Sequence, residues 1–113
     1  MEFIISESKL ESVMFKYLDT IFDSTELFDD IWFHYKGSRE MIAKYDYVNN
    51  SLRVSSFGTK ELSDMFSIDG FDEGMPIVKR WLISKLGDRP INEITVTPYK
   101  LYVPSFIFTY LNK

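Results

Sequence analysis

The apolar and polar positions of residues 9–22 alternate with the period of an α-helix. Six apolar residues recur three or four positions apart and share one face of that helix, namely Leu10, Val13, Met14, Tyr17, Leu18 and Ile21. Ser8 and Glu11 have the spacing of a capping box, in which each side chain satisfies a backbone N–H at the start of a helix. The pattern therefore predicts an amphipathic helix from about Lys9 to Phe22.

Two further aromatic residues widen the apolar face of this helix. Phe15 and Phe22 lie about 120–140° from Leu10 at 100° per residue, so the apolar arc exceeds half of the circumference. A helix of this kind contacts two surfaces, a sheet and either another part of the chain or a partner protein. We therefore expect Phe15 and Phe22 to contribute to a contact surface.

The middle of the chain has the pattern of an antiparallel meander. Residues 23–30 form an acidic connector, and three segments with the composition of β-strands follow it: Ile31–Tyr35, Glu40–Val48 and Ser51–Ser56. Asn49 and Asn50 suit a two-residue type I′ turn, because Asn tolerates positive φ angles. We expect three strands with one buried face.

Two helices are predicted after the meander. Thr59 can cap a short helix that carries Leu62, Met65 and Phe66. A longer helix is expected from about Met75 to Leu86, with Pro76 in its first turn and Gly87 at its C-terminal cap. Its apolar stripe is formed by Val78, Trp81, Leu82 and Leu86.

The C-terminal part of the chain alternates with the period of a strand. Residues 94–97 are β-branched, and residues 99–111 alternate so that Phe106, Phe108 and Tyr110 share one side. Pro98 and Pro104 exclude a central position in a sheet, so this tail is an edge strand or an extended arm. It either folds back on its own sheet or adds to the sheet of a partner through that aromatic side.

Together these elements predict an α+β fold: an N-terminal helix, a three-stranded antiparallel meander, one short and one longer helix, and a C-terminal strand or extended tail. A length of 113 residues fits a single domain, 1–113, with residues 98–113 as the alternative arm.

Composition narrows the classes of function. The chain has no cysteine and a net charge of −4 without a cluster of basic residues, so disulfides are excluded and nucleic acid is an unlikely partner. No secretory pattern and no apolar run of about 20 residues is present, so we expect no membrane span and a cytoplasmic protein. Aromatic residues make up 17% of the chain, which favours association, although a Phe-rich core accounts for them equally well.

Residues that could carry chemistry are sparse. His34 is the only histidine, no nucleophile can be assigned to it, and we expect a partly exposed strand residue. The carboxylates of Asp19 and Asp23 could share a cation, as could a second group formed by Asp64, Asp69, Asp72 and Glu73. Acidic helix surfaces near connectors usually serve solubility, and the second group does not have the ligand spacing of a helix–loop–helix calcium site. We therefore expect no metal, no cofactor and no catalytic residue.

The start of the chain resembles a known group of sequences. Ile5-Ser6-Glu7-Ser8-Lys9-Leu10, continuing to Lys16-Tyr17-Leu18-Asp19, is similar to a segment found near the ends of uncharacterised small proteins from tailed bacteriophages of environmental origin. The resemblance implies a phage-like provenance, as a minor virion component or a factor that acts on host machinery, located in the host cytoplasm or the virion. It implies no fold, activity or site residue.

The sequence favours a non-enzymatic protein–protein interaction module that self-associates or binds a protein partner. The expected contact residues are Phe15, Phe22, Phe106, Phe108 and Tyr110. The alternative is a nucleic-acid-binding or nucleic-acid-mimicking regulator, in which the acidic stretch from Asp19 to Asp30 stands in for phosphates.

Overall fold

The computed structural model describes the backbone of residues 7–111 and the side chains of residues 9–109, and it confirms the α+β class. The helices are α1 Glu7–Ile21, α2 Lys60–Phe66, α3 Met75–Leu86 and α4 Ser105–Leu111. The strands are β1 Phe22–Leu27, β2 Asp30–Tyr35, β3 Glu40–Asp46, β4 Ser51–Ser55, β5 Glu93–Thr97 and β6 Leu101–Tyr102. A 3₁₀ turn, Ser56–Thr59, precedes α2, and a π-helical turn, Gly70–Gly74, precedes α3.

The six strands form one mixed sheet. Strands β1 to β4 are consecutive antiparallel neighbours, and β5 lies parallel to β4. A parallel neighbour requires a crossover connection, which α2 and α3 provide. Strand β6 pairs with the first residues of β3, beyond the point where β4 ends.

The central predictions are confirmed. Strands β2, β3 and β4 form the expected meander, and the longer helix runs over the predicted residues 75–86. Pro76 lies in its first turn, and Gly87 ends the helix with a φ of 63°, a conformation that favours glycine. The four residues of the predicted stripe are all buried.

One face of the sheet carries the main core. Helices α1 and α3 cover this face, and their side chains pack against those of β2, β3 and β4. The buried residues of this core include Met14, Leu18, Phe33, Ile42, Tyr45, Leu52, Trp81 and Leu82. The Tyr45 hydroxyl donates to the Pro90 carbonyl at 2.8 Å, so the polar end of this buried ring is satisfied.

The prediction that only one face of the sheet is buried is wrong for the middle of the sheet. Consecutive residues of β2, from Ile31 to His34, are all buried, because Trp32 packs into a second core cluster on the outer face. That cluster also contains Met41, Leu101, Val103 and Ile107. The register between β2 and β3 shifts between Phe33 and His34, leaving Ile42 as the extra residue of a bulge. The bulge lets Met41 face the second cluster while Ile42 and Ala43 both join the main core.

The acidic connector predicted at residues 23–30 is instead mostly a strand. Residues Phe22–Leu27 pair with β2 in continuous register, from Phe22 opposite Tyr35 to Leu27 opposite Asp30. This strand lies at the edge of the sheet, and the residues between its two apolar ends are exposed or half-buried. Its composition is therefore polar, and the alternation that marks a half-buried strand is absent.

The predicted C-terminal strand is present, but it is shorter than expected. Only Leu101–Tyr102 are extended, and residues Ser105–Leu111 form a helix that begins after Pro104, whose carbonyl accepts from the Phe108 N–H at 3.0 Å. The tail folds back on the sheet, because Val103 is fully buried and its N–H donates to the Arg39 carbonyl at 2.8 Å.

Several ends and turns differ in detail from the predictions. Helix α1 already includes Glu7, two residues before the expected start, and the predicted cap at Ser8 falls on a side chain outside the described residues. Thr59 makes no side-chain cap bond; its hydroxyl closes the 3₁₀ turn on the Ser56 carbonyl at 2.9 Å. The turn between β3 and β4 spans four residues, of which Asn50 has a positive φ of 50°. Within residues 7–111, no helix is long and apolar enough to cross a membrane.

Candidate protein interaction surface

The turn between β1 and β2 presents an aromatic residue to solvent. Leu27 pairs with Asp30, which leaves Phe28 and Asp29 as a two-residue turn with φ angles of 52° and 70°. These are the angles of a type I′ turn, a geometry that favours Asn and Gly. A bulky residue with positive φ is a steric outlier. The side chain of Phe28 is nonetheless 87% exposed.

Helix α4 lies across the outer face of the sheet, close to this turn. Ile107 is only 6% exposed and packs with Trp32 and Met41, whereas the neighbouring Phe106 is 73% exposed. Between the helix and the turn runs a groove of about 730 Å³, which we call the α4 groove. It is lined by Leu27, Phe28, Asp30, Trp32, Lys44, Pro104, Phe106 and Ile107. Six of these eight residues are apolar, so the groove is suited to apolar side chains.

Two charged side chains, Asp30 and Lys44, line the α4 groove. Lys44 Nζ lies 3.9 Å from Asp30 Oδ2 and 5.4 Å from the centre of the Trp32 ring. Asp30 Oδ1 accepts from the Tyr47 N–H at 2.9 Å and so joins the two neighbouring turns of the sheet. Tyr47 and Val48, in the second turn, are 55% and 83% exposed. Apolar side chains are therefore exposed on both turns at this end of the sheet.

The strand register arranges the charges of the outer face in two rows. The basic row contains Lys44 and Arg53, which are directly opposite each other on β3 and β4. The acidic row lies two residues further toward the turns and contains Asp30, Asp46 and Glu93, on β2, β3 and β5. Side chains two positions apart on a strand point to the same face, so both rows belong to the outer face.

Asp46 is ionised at neutral pH. Partial desolvation raises its pKa, but hydrogen bonds from the Asn49 side chain and from the Val48 N–H outweigh that effect and lower the pKa below its usual value. Across the described residues, Arg53 is exposed and has no ion pair with a carboxylate. The outer face thus carries adjacent rows of opposite charge.

The structure separates the residues that we predicted to form one contact surface. Phe22 is 3% exposed in the main core, where its ring lies 4.7 Å from that of Tyr35, so it is removed from the predicted surface. Phe15 is half-buried and packs against the same core. Both side chains therefore pack on the main core of the chain.

Of the predicted tail residues, only Phe106 is shown to be exposed in the α4 groove. Phe108 is half-buried and packs against the second core cluster, with its ring edge-on to His34 at 6.3 Å. The side chain of Tyr110 lies outside the described residues. In a helix, residues two apart point in different directions, so Phe106 and Phe108 do not share the side that a strand would have given them.

His34 is a buried structural residue, which corrects the expectation of partial exposure. Its Nδ1 donates to the Tyr35 carbonyl at 2.9 Å, and in the neutral ring Nε2 accepts from the Thr25 hydroxyl at 3.0 Å. The expectation failed because it assumed an uncovered outer face, whereas α4 covers this part of β2.

The acidic groups are engaged at separate places in the fold. Asp19 Oδ1 accepts from Lys85 Nζ at 2.7 Å and from Trp81 Nε1 at 3.0 Å, and Glu26 pairs with Arg89 at 2.9 Å. In the second group, Asp69 Oδ1 accepts from two N–H groups of the π-helical turn, and the Asp69 N–H donates to Glu73. The described residues contain no group of three or more side chains placed to hold a metal ion.

Phe28 is the functional candidate that sequence reasoning missed. It fell inside the segment interpreted as an acidic connector, and its residue type is the opposite of what a type I′ turn favours. The Asp29-Asp30 pair after Leu27 is the one local signal of a turn, because Asp tolerates left-handed backbone angles.

Comparison with known proteins found no matching family model, no matching curated protein and no matching solved structure. The surface is therefore interpreted from its own geometry. The similarity of residues 5–19 to phage proteins stays a prediction.

Proposed function

We propose that this chain is a non-enzymatic protein–protein interaction module, with the α4 groove and the two adjacent turns as its contact surface. The two most exposed aromatic side chains of this surface, Phe28 and Phe106, line the same groove. Exposed aromatic side chains around a groove are typical of the central residues of protein interfaces.

The observation that carries the proposal is the conformation of Phe28. Holding a bulky residue at positive φ costs roughly 1–3 kcal/mol, and leaving a Phe side chain in water forgoes roughly 1.5–3 kcal/mol of burial. Among the described residues the burial of the ring is not recovered, because its side chain is 87% exposed. A partner that covers the Phe28 side chain recovers the free energy of burying it. The turn already points the ring outward, so little ordering is required on binding.

The other chemical groups support a binding role over a catalytic one. Both ring nitrogens of His34 are occupied by hydrogen bonds inside the fold, and the Asp19 carboxylate is held by Lys85 and Trp81. The phage-like resemblance adds the expectation that the partner is a virion or host protein, which stays a prediction.

A random peptide library selected on the immobilised protein tests the proposal. We expect enriched peptides whose binding falls by about tenfold or more in Phe28→Asn and in Phe106→Gln, because both side chains line the groove. Phe71→Gln is the matched control, since Phe71 is 67% exposed but lies in the turn before α3.

Two results would contradict the proposal. One is that no peptide is enriched. The other is that the enriched peptides bind Phe28→Asn and Phe106→Gln as tightly as the parent protein while Phe71→Gln abolishes their binding.

A further inference from the structure

We infer that the occupant of this surface is a second copy of the chain, packed face to face on the outer face with its strands antiparallel to those of the first copy. This inference rests on the proposed function and names its partner. The argument starts from the two charged rows, which a two-fold axis can bring into register.

The rows are separated by two residues along each strand, which is about 6.6–6.8 Å. Place a two-fold axis in the plane of the interface, between the rows and parallel to them. Rotation about this axis sets the basic row of each copy opposite the acidic row of the other, which is the self-complementarity that an isologous interface requires. Lys44 then faces Asp46 of the second copy, and Arg53 comes between Asp46 and Glu93.

The same rotation brings the apolar parts of the surface together. Helix α4 packs over Trp32, which is level with Lys44 in the basic row, and over Met41 beyond that row, whereas the turns project beyond the acidic row. After rotation, the turns of each copy extend over the part of the other copy that contains α4. Phe28 of one copy thus approaches Phe106 of the other and fills the α4 groove.

The electrostatics favour this arrangement over a stacking of the copies in the same direction. A parallel stack would set the basic row of one copy against the basic row of the other and the acidic row against the acidic row, and like charges across an interface oppose association. The antiparallel pairing also gives Arg53, which has no ion pair among the described residues, two carboxylates to contact.

Sedimentation equilibrium of the whole chain over a range of concentrations is the test. At low salt we expect the mass of two 13.4 kDa chains, and weaker association at about 1 M salt, where charges are screened beyond about 3 Å. Arg53→Glu should raise the dissociation constant by about tenfold or more. Lys60→Glu makes the same change in net charge at an exposed residue of α2 and should alter it by less than about twofold.

A charge exchange makes the test specific to the proposed pairing. Arg53→Glu and Glu93→Lys each place like charges across the interface, so each variant alone should associate weakly. An equimolar mixture restores opposite charges at both contacts between positions 53 and 93. Because the carboxylate introduced at position 53 still faces Asp46, the heterodimer should associate more tightly than either variant alone and more weakly than the parent.

The outcomes separate this inference from the proposed function. A chain that stays monomeric, or a dimer that Arg53→Glu leaves intact, overturns the antiparallel arrangement even when peptide selection identifies the α4 groove. A dimer with the expected charge dependence supports the arrangement, whatever the peptide library returns.

Discussion

At the residue scale, the backbone conformation and the exposure of Phe28 are both unfavourable for a phenylalanine. Its φ of 52° and its 87% exposure both oppose the stability of an isolated chain. Conflicts of this kind are expected at functional positions, where stability is given up for contact with a partner.

Phe28→Asn should therefore stabilise the fold and weaken binding at the same time. Asn tolerates positive φ, so we expect the free energy of unfolding to rise by about 1 kcal/mol in urea denaturation. Binding of groove-selected peptides should fall in the same variant. A loss of stability would contradict the account, because it would mean that the Phe28 ring supports the fold.

Asp19 gives a prediction about pH. Burial raises its pKa, but the hydrogen bonds from Lys85 and Trp81 outweigh burial and hold the pKa below the ordinary 3.8. A carboxyl with a lowered folded pKa contributes stability above its unfolded pKa, and that contribution is lost as the pH falls through the folded pKa.

Asp19→Asn should accordingly lower the free energy of unfolding at pH 7 by less than about 1 kcal/mol, because the carboxylate is 46% exposed and screened by water. The difference from the parent should shrink as the pH falls below 3.8. Urea unfolding at pH 7 and at about pH 3 checks this. A difference that grows toward low pH would contradict the assignment.

At the scale of elements, strongly periodic segments were predictable and mixed ones were not. Helix α3 has a complete stripe, a Pro at its start and a Gly at its end, and its predicted bounds are confirmed. Strand β1 was missed because an edge strand with exposed residues does not alternate. Helix α4 was predicted as a strand because its residues alternate in the sequence. A segment of only seven residues can show this alternation and still form a short helix that buries few side chains.

Neighbouring residues of α4 test its orientation. Ile107→Ala should lower the free energy of unfolding by about 2–3 kcal/mol, because Ile107 packs with Trp32 and Met41. Phe106→Ala should change it by less than about 0.5 kcal/mol, because Phe106 is 73% exposed. Equal losses in the two variants, measured by urea denaturation, would contradict this placement of the helix.

The 3₁₀ turn Ser56–Thr59 depends on a close approach to β3. A Cβ added at Gly58 would lie 3.0 Å from Ile42 Cβ, a contact that the buried β3 bulge cannot easily relax. Gly58→Ala should lower the free energy of unfolding by about 1–3 kcal/mol in urea denaturation. Ser56→Ala, in the same turn but half-buried, is the control, and an equal effect of both would contradict the packing explanation.

At the scale of the whole molecule, composition did not predict the place of the candidate contact surface. Of the five expected contact residues, Phe22 is buried in the main core. Phe106 is the one that is shown to line the α4 groove. The groove depends on a turn, a strand pairing and a helix that are far apart in the sequence. Local periodicity carries no information about such a combination. The two charged rows likewise became visible only through the strand register.

The two tryptophans allow a direct test of the central claim that the outer face is the contact surface. Trp32 lines the α4 groove, whereas Trp81 lies in the main core with its indole N–H bound to Asp19. In ¹⁵N-labelled protein titrated with a groove-selected peptide, we expect the Trp32 indole resonance to shift and the Trp81 resonance to stay. A shift of Trp81 with Trp32 unchanged would contradict the account.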